Sequence, residues 1–121
     1  MTFGEFIKDM RIRGGHTLRR FCEMHKLDAG NHSKLERGLF PPPAGEEKML
    51  ELARALGLKG GSDDWSTFFD LAAAAKGQLP KDLLSDEEVV SKLPVLFRTL
   101  RGEPVPAEKL HELIDFIKHP Q

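Results

Sequence analysis

Only one cysteine, Cys22, stands in the 121 residues. That excludes an internal disulfide and fits a chain kept in a reducing compartment. No apolar run approaches the ~20 residues of a membrane span. Acidic residues come early, at Glu5 and Asp9, without the basic-then-apolar layout of a signal peptide. The expected location is therefore the cytoplasm, away from membranes. No stretch alternates apolar and polar residues long enough for a useful strand. Catalytic patterns are missing as well. No Ser-His-Asp spacing or pocketed carboxylate pair stands out, and Gly60-Gly61 lacks the lysine and serine of a phosphate-cradling loop. Neither an enzyme nor a cofactor is expected. Cys22-x-x-His25 puts two metal ligands on one helical face, with His32 following. A fourth ligand is wanting, so no metal is assigned.

What the chain does have is helical periodicity. Phe3, Phe6, Ile7 and Met10 repeat at i, i+3, i+4 and i+7, which predicts a helix over 2–13, ended by Gly14-Gly15. Thr17 is an N-cap candidate for a second helix over 18–25, with Leu18, Phe21, Cys22 and His25 on one face. Lys26 and Leu27 break that pattern. Asp28 is the next cap candidate, for a third helix over 29–37 closed by Gly38. The alternative is a later start, with Asn31 as cap. Helices this short and close pack crossed, with the second offered outward. Leu39 to Gly45 holds three consecutive prolines, a stiff extended connector. Met49, Leu52, Ala53 and Leu56 mark a fourth helix, and Phe21, Leu27 and Leu35 are expected beneath it in the core. Ser62 caps a fifth, whose wide face runs through Trp65, Phe68, Phe69, Leu71, Ala72 and Ala75 until Gly77 and Pro80 stop it. Ser85-x-x-Glu88 reads as a capping box opening a sixth helix. Pro94 should kink or restart it. Leu110, Leu113, Ile114 and Ile117 give a seventh.

Within this frame, Arg11, Thr17, Phe21, Cys22, Leu27 and the run Ser33-Lys34-Leu35-Glu36-Arg37-Gly38, followed by Pro41, resemble the Cro-like phage-repressor helix-turn-helix family, also called XRE. The resemblance covers roughly Phe3 to Leu58. It implies an all-α, lambda-repressor-like helix-turn-helix bundle over 1–58, with a helical C-terminal extension over 62–121 for dimerisation or partner binding. It also implies that Arg11 and Glu36 form a pair bridging the first and third helices. Three departures stand out. Leu18 occupies a slot that is usually polar, Lys26 replaces a turn glycine, and His25 and His32 replace aliphatic residues. Those histidines are either a pH-sensitive weakness in the packing or partly exposed neutral imidazoles.

The function so implied is sequence-specific binding of double-stranded DNA. A helix fits the major groove, and residues near its N-terminus read base edges. Here those are Ala29, Gly30, Asn31 and Lys34. Phosphate contacts fall to the free amides of Leu18 and Arg19, to Thr17 and Ser33, and to Arg13, Arg19, Arg20 and Arg37. Charge agrees in sign. Residues 1–44 carry eight Lys/Arg against five Asp/Glu, and residues 60–121 seven against eleven. Ordinary scatter gives similar numbers. One module reads few base pairs, so a homodimer on a palindromic operator is expected. Its contact would use Leu96, Phe97, Leu100, Leu113, Ile114 and Ile117, although the same spacing serves equally to complete a monomer core. Transcriptional repression by occupancy is the leading expectation. The alternatives are an antitoxin-like protein whose acidic C-terminal half binds a toxin-like partner, and a ligand sensor with a pocket around Trp65, Phe68 and Phe69.

Overall fold

The computed structural model describes residues 1–79 and 81–118, and every regular element among them is helical. The order is α1 (Phe3–Arg13), α2 (Leu18–His25), α3 (Ala29–Glu36), α4 (Glu46–Ala55), α5 (Asp63–Ala75), α6 (Lys81–Leu84), α7 (Glu87–Leu100) and α8 (Ala107–Lys118). The all-α expectation holds. None of these helices is long and apolar enough to cross a membrane. The chain divides into two compact units, Met1–Leu79 and Pro80–Gln121.

In the first unit every helix except α4, which follows Gly45, starts where a side chain takes over a free amide. Thr2 and Glu5 form a reciprocal capping box on α1, and Ser62 accepts from the Trp65 amide at the start of α5. The apolar stripe of α1 is buried as its spacing predicts, with Ile7 fully enclosed. It meets Phe21 and Cys22 of α2, Met49, Leu52 and Ala53 of α4, and Phe68 and Ala72 of α5. The unit therefore runs past the expected boundary at Leu58. The cause is Phe68, which is wholly buried with its ring 5.3 Å from that of Phe3. That placement also makes the Trp65/Phe68/Phe69 region part of a core rather than a sensor pocket. Leu27 departs from expectation too. It is 39% exposed, because the left-handed residue before it turns the chain outward.

The close approach of α1 to α3 depends on Gly4. A Cβ there would run into the backbone carbonyls of Leu35 and Glu36. Side chains can move aside and helix backbone cannot, so this contact admits only glycine.

In the second unit, α6 is a helix the periodicity does not reveal, since one turn is too short to show a repeat. Ser85 does not cap α7. Its hydroxyl donates to the Asp82 carbonyl at 2.9 Å, and Asp86 accepts from the Glu88 and Val89 amides instead. Pro94 does not interrupt α7. Both Pro94 and Val90 are exposed, so the Val90 carbonyl that loses its partner can turn to water. Lys92 and Glu112 bridge α7 and α8 at 3.8 Å. The expected stop at Pro80, and the last residues of the predicted extension, 119–121, lie outside the described residues.

Gly4→Ala should overpack the α1–α3 contact and lower stability by about 1–3 kcal/mol. Urea unfolding of the variant beside the wild type measures this. An unchanged midpoint would show that the two helices can part without cost.

Candidate functional site

Two caps and one strained residue set the path from α2 to α3. Thr17 is extended, and its hydroxyl accepts from the Arg20 amide at 3.1 Å. The Leu18 and Arg19 amides, at the positive end of the helix, remain for an outside acceptor. The side chain of Leu18 is half-buried against the core. Lys26 ends α2 at φ 55° and ψ 47°, the left-handed conformation that suits glycine. For a residue with a Cβ that costs roughly 1–2 kcal/mol. Its amide and that of Leu27 both donate to the Cys22 carbonyl. Asp28 then accepts from the Asn31 amide at 2.8 Å, so α3 takes the earlier of its two possible starts, at Ala29.

The inner face of α3 is clamped by charge. Arg11 donates to Glu36 through two nitrogens, Nε to Oε2 at 2.7 Å and Nη2 to Oε1 at 3.0 Å. Its Nη1 donates to the His16 carbonyl at 2.9 Å. One guanidinium thus ties together α1, α3 and the loop before α2, and the bond to Glu36 holds its pKa above the ordinary value. His32, one turn before Glu36, is only 5% exposed, so the reading of a partly exposed imidazole fits only His25. The His32 ring lies 5.2 Å from that of Phe21. Its Nε2 is 3.0 Å from Glu36 Oε2, but the approach is one of distance and not of direction, and no hydrogen bond forms. Burial therefore dominates and pushes the imidazole below its ordinary value, against the opposing pull of Glu36.

The outer face of α3 carries no such ties. Ala29, Gly30, Asn31 and Lys34 are all exposed, and Ser33 is half-buried. Lys34 holds its ammonium 5.2 Å from the centre of the Phe40 ring. Gly30 is helical, and a Cβ there would meet only the Asp28 carboxylate, at 3.2 Å. Thr17, Arg13, Arg19, Arg20 and Arg37 are all exposed. Arg20 reaches Glu23 at 4.0 Å, a solvated pair of little worth. Arg37 Nε donates weakly to the Ser33 carbonyl at 3.4 Å. No three His, Cys, Asp or Glu side chains among the described residues are placed to hold a metal ion.

Of the six residues expected at a dimer contact, Phe97, Leu100, Ile114 and Ile117 are exposed, Leu100 by 75%. Leu96 is half-buried. Leu113 is the one buried side chain of the second unit among the described residues, which takes it out of any outward-facing contact.

Sequence reasoning misses Gly4, His32 as a neighbour of the ion pair, and Phe40 under Lys34. A signal existed for the first: Gly4, Ile7 and Arg11 share one helical face, so a small residue there sits in register with the bridging arginine. No family model, curated protein or solved structure matches the chain.

His32 gives the fold an acid weakness. Above its ordinary value of 6.5 the imidazole is neutral in both folded and unfolded chains, and stability is full. As pH falls through that value the unfolded chain takes up a proton that the folded chain resists. Stability drops by up to ~1.4 kcal/mol per pH unit until the folded group also titrates. His32→Leu should flatten this limb, as read by denaturant unfolding across the acid range. An equal slope in the variant would place the weakness elsewhere.

Proposed function

We propose that the chain is a sequence-specific double-stranded DNA-binding regulator that inserts α3 into the major groove, acting as a homodimeric repressor by occupying its operator. One observation carries this reading. The inner face of α3 is locked by Arg11–Glu36, while Ala29, Gly30, Asn31 and Lys34 are exposed, and the one side-chain contact among them in the described residues is Lys34 over the Phe40 ring. Gly30 is the pointed case. A glycine in a helix costs about 1 kcal/mol relative to alanine. No close backbone within its own unit requires it, so its smallness serves something that comes from outside.

Each residue then has a role. Asn31 can bond two edges of an adenine, and Lys34 can leave Phe40 to reach guanine acceptors. Ala29 can touch a thymine methyl. The free amides of Leu18 and Arg19, with Thr17 and the exposed arginines, hold phosphates on either side. The resemblance to Cro-like repressors, carried by Ser33 to Gly38 and by the bridging pair, supports the same assignment. Repression by occupancy needs no reaction and no cofactor.

The second unit supports self-association. No residue of α7 is buried, and Phe97, Leu100, Ile114 and Ile117 leave apolar surface on α7 and α8. A symmetric pairing would cover it and bring two α3 helices to one operator. The same surface also fits a second reading, an antitoxin-like protein that docks a partner there and regulates its own operon. Sedimentation equilibrium separates the two. We expect a dimer that Leu100→Glu converts to monomer with the fold intact. A wild-type chain that is monomeric at all concentrations would favour the partner-bound reading.

Selection of duplexes from a random library tests the DNA reading. Asn31→Ala and Lys34→Ala should each relax preference at one position by about 1–3 kcal/mol. Gly30→Ala should weaken binding while leaving stability within about 1 kcal/mol of wild type. Arg19→Ala should weaken all sequences alike and reduce the salt slope by about one. Variants that select the same sequences with unchanged affinity would remove α3 as the reading element.

A further inference from the structure

A second feature of the first unit is unused by any role above. A cavity of about 580 Å³ opens between the turn after α2, the inner flank of α3, Pro43 and α4. It exists because α4 approaches its neighbours less closely than α1, α2, α3 and α5 approach theirs. The size falls among small-molecule sites, roughly 300–1,000 Å³. Leu27, Leu35, Leu52 and Ala55 line it with apolar surface. A single exposed leucine means little. Leu27 is different, because its exposed surface joins three other apolar side chains around one hollow.

The polar residues are unevenly charged. Lys48 and Arg54 stand against a single carboxylate, Glu51. Lys48 already engages Glu51 at 3.5 Å. Arg54 is exposed and has no carboxylate partner among the described residues. At the inner end the wall is His32, with Glu36 directly behind it. Arg11 already neutralises that carboxylate, so the unpaired charge at this site is that of Arg54.

From this geometry we infer a binding site for a small amphipathic monocarboxylate, its carboxylate at Arg54 and its apolar portion over Leu27, Leu35 and Leu52. An apolar ligand without charge would leave Arg54 unused, and a cationic one would meet like charge at the mouth. His32 and Leu35 belong to α3, so an occupant presses on the inner side of the helix whose outer side is proposed to read DNA. Binding of the small molecule does not depend on that proposal and is measured without DNA.

Calorimetric titration of the full chain with sodium octanoate, octylammonium chloride and octanol tests it. Octanoate should bind saturably at one site, at least about tenfold more tightly than octylammonium or octanol. Arg54→Glu should weaken octanoate about tenfold or more and abolish its advantage over octanol. Leu27→Ser should weaken octanoate and octanol alike. Both positions are exposed, and thermal unfolding checks that the variants fold. Octanoate that fails to saturate below about 10 mM, octylammonium that binds as tightly, or an Arg54→Glu chain that binds octanoate as well as wild type would overturn the assignment.

Discussion

The buried pairing of Arg11 with Glu36 is the constraint on which the rest of the first unit turns. Two full charges leave water there, which costs several kcal/mol per ion unless partners replace the lost hydration. On the arginine three of the five N–H groups are re-partnered, two with the carboxylate and one with the His16 carbonyl. Such a pair adds little net stability over an apolar filling of the same shape, yet removing one partner costs about 3–5 kcal/mol. What it contributes is direction. A planar guanidinium with two bonds to one carboxylate allows little rotation of α3 about its axis. Gly4 works with it, letting the α1 backbone come against the end of α3 that carries Glu36.

That fixed rotation divides α3 into two faces with separate tasks. His32, Leu35 and Glu36 face inward, where volume and charge are matched. Gly30, Asn31 and Lys34 lie on the opposite side, and Ala29 is exposed at the N-terminal end. Two devices bring α3 to this position. The Thr17 and Asp28 caps define where α2 and α3 begin, and the left-handed Lys26 sets the turn between them. A lysine in that conformation is a local cost that the surrounding packing sustains. The same turn leaves Leu27 in the open, and with α4 standing off it borders the cavity.

Much of this is legible in the sequence because caps and stripes are local. Thr17, Asp28 and Ser62 cap as their side chains suggest, and the stripe of Phe3, Phe6, Ile7 and Met10 is buried as its period requires. The bridging pair is legible only through resemblance, since nothing local joins residues 25 positions apart. What escapes is set by three-dimensional approach. Gly4 looks like a weak helix residue until another backbone lies against it. His32 stands in a slot expected to be aliphatic, and only the fold shows Phe21 and Glu36 enclosing it. Whether α5 belongs with the first four helices depends on Phe68 finding Phe3. In the second unit the errors are ones of chemistry at close range: Ser85 and Asp86 compete for one helix start, and the carboxylate holds two amides. The candidate site divides in the same way. Its positions follow from nearness to the start of α3, whereas the exposure of each depends on the clamp.

The proposed role is that a helix locked from within presents its free side to duplex DNA. Amide chemical-shift mapping tests that most directly, using an isotopically labelled chain titrated with a duplex that the chain itself has enriched from random sequence. The account predicts the largest shifts at the start of α2, from Thr17 to Arg20, and along the outer row from Ala29 to Lys34, with little change at Ile7 and Phe68. Enrichment of no duplex, or shifts that spare α3 and gather elsewhere, would contradict it.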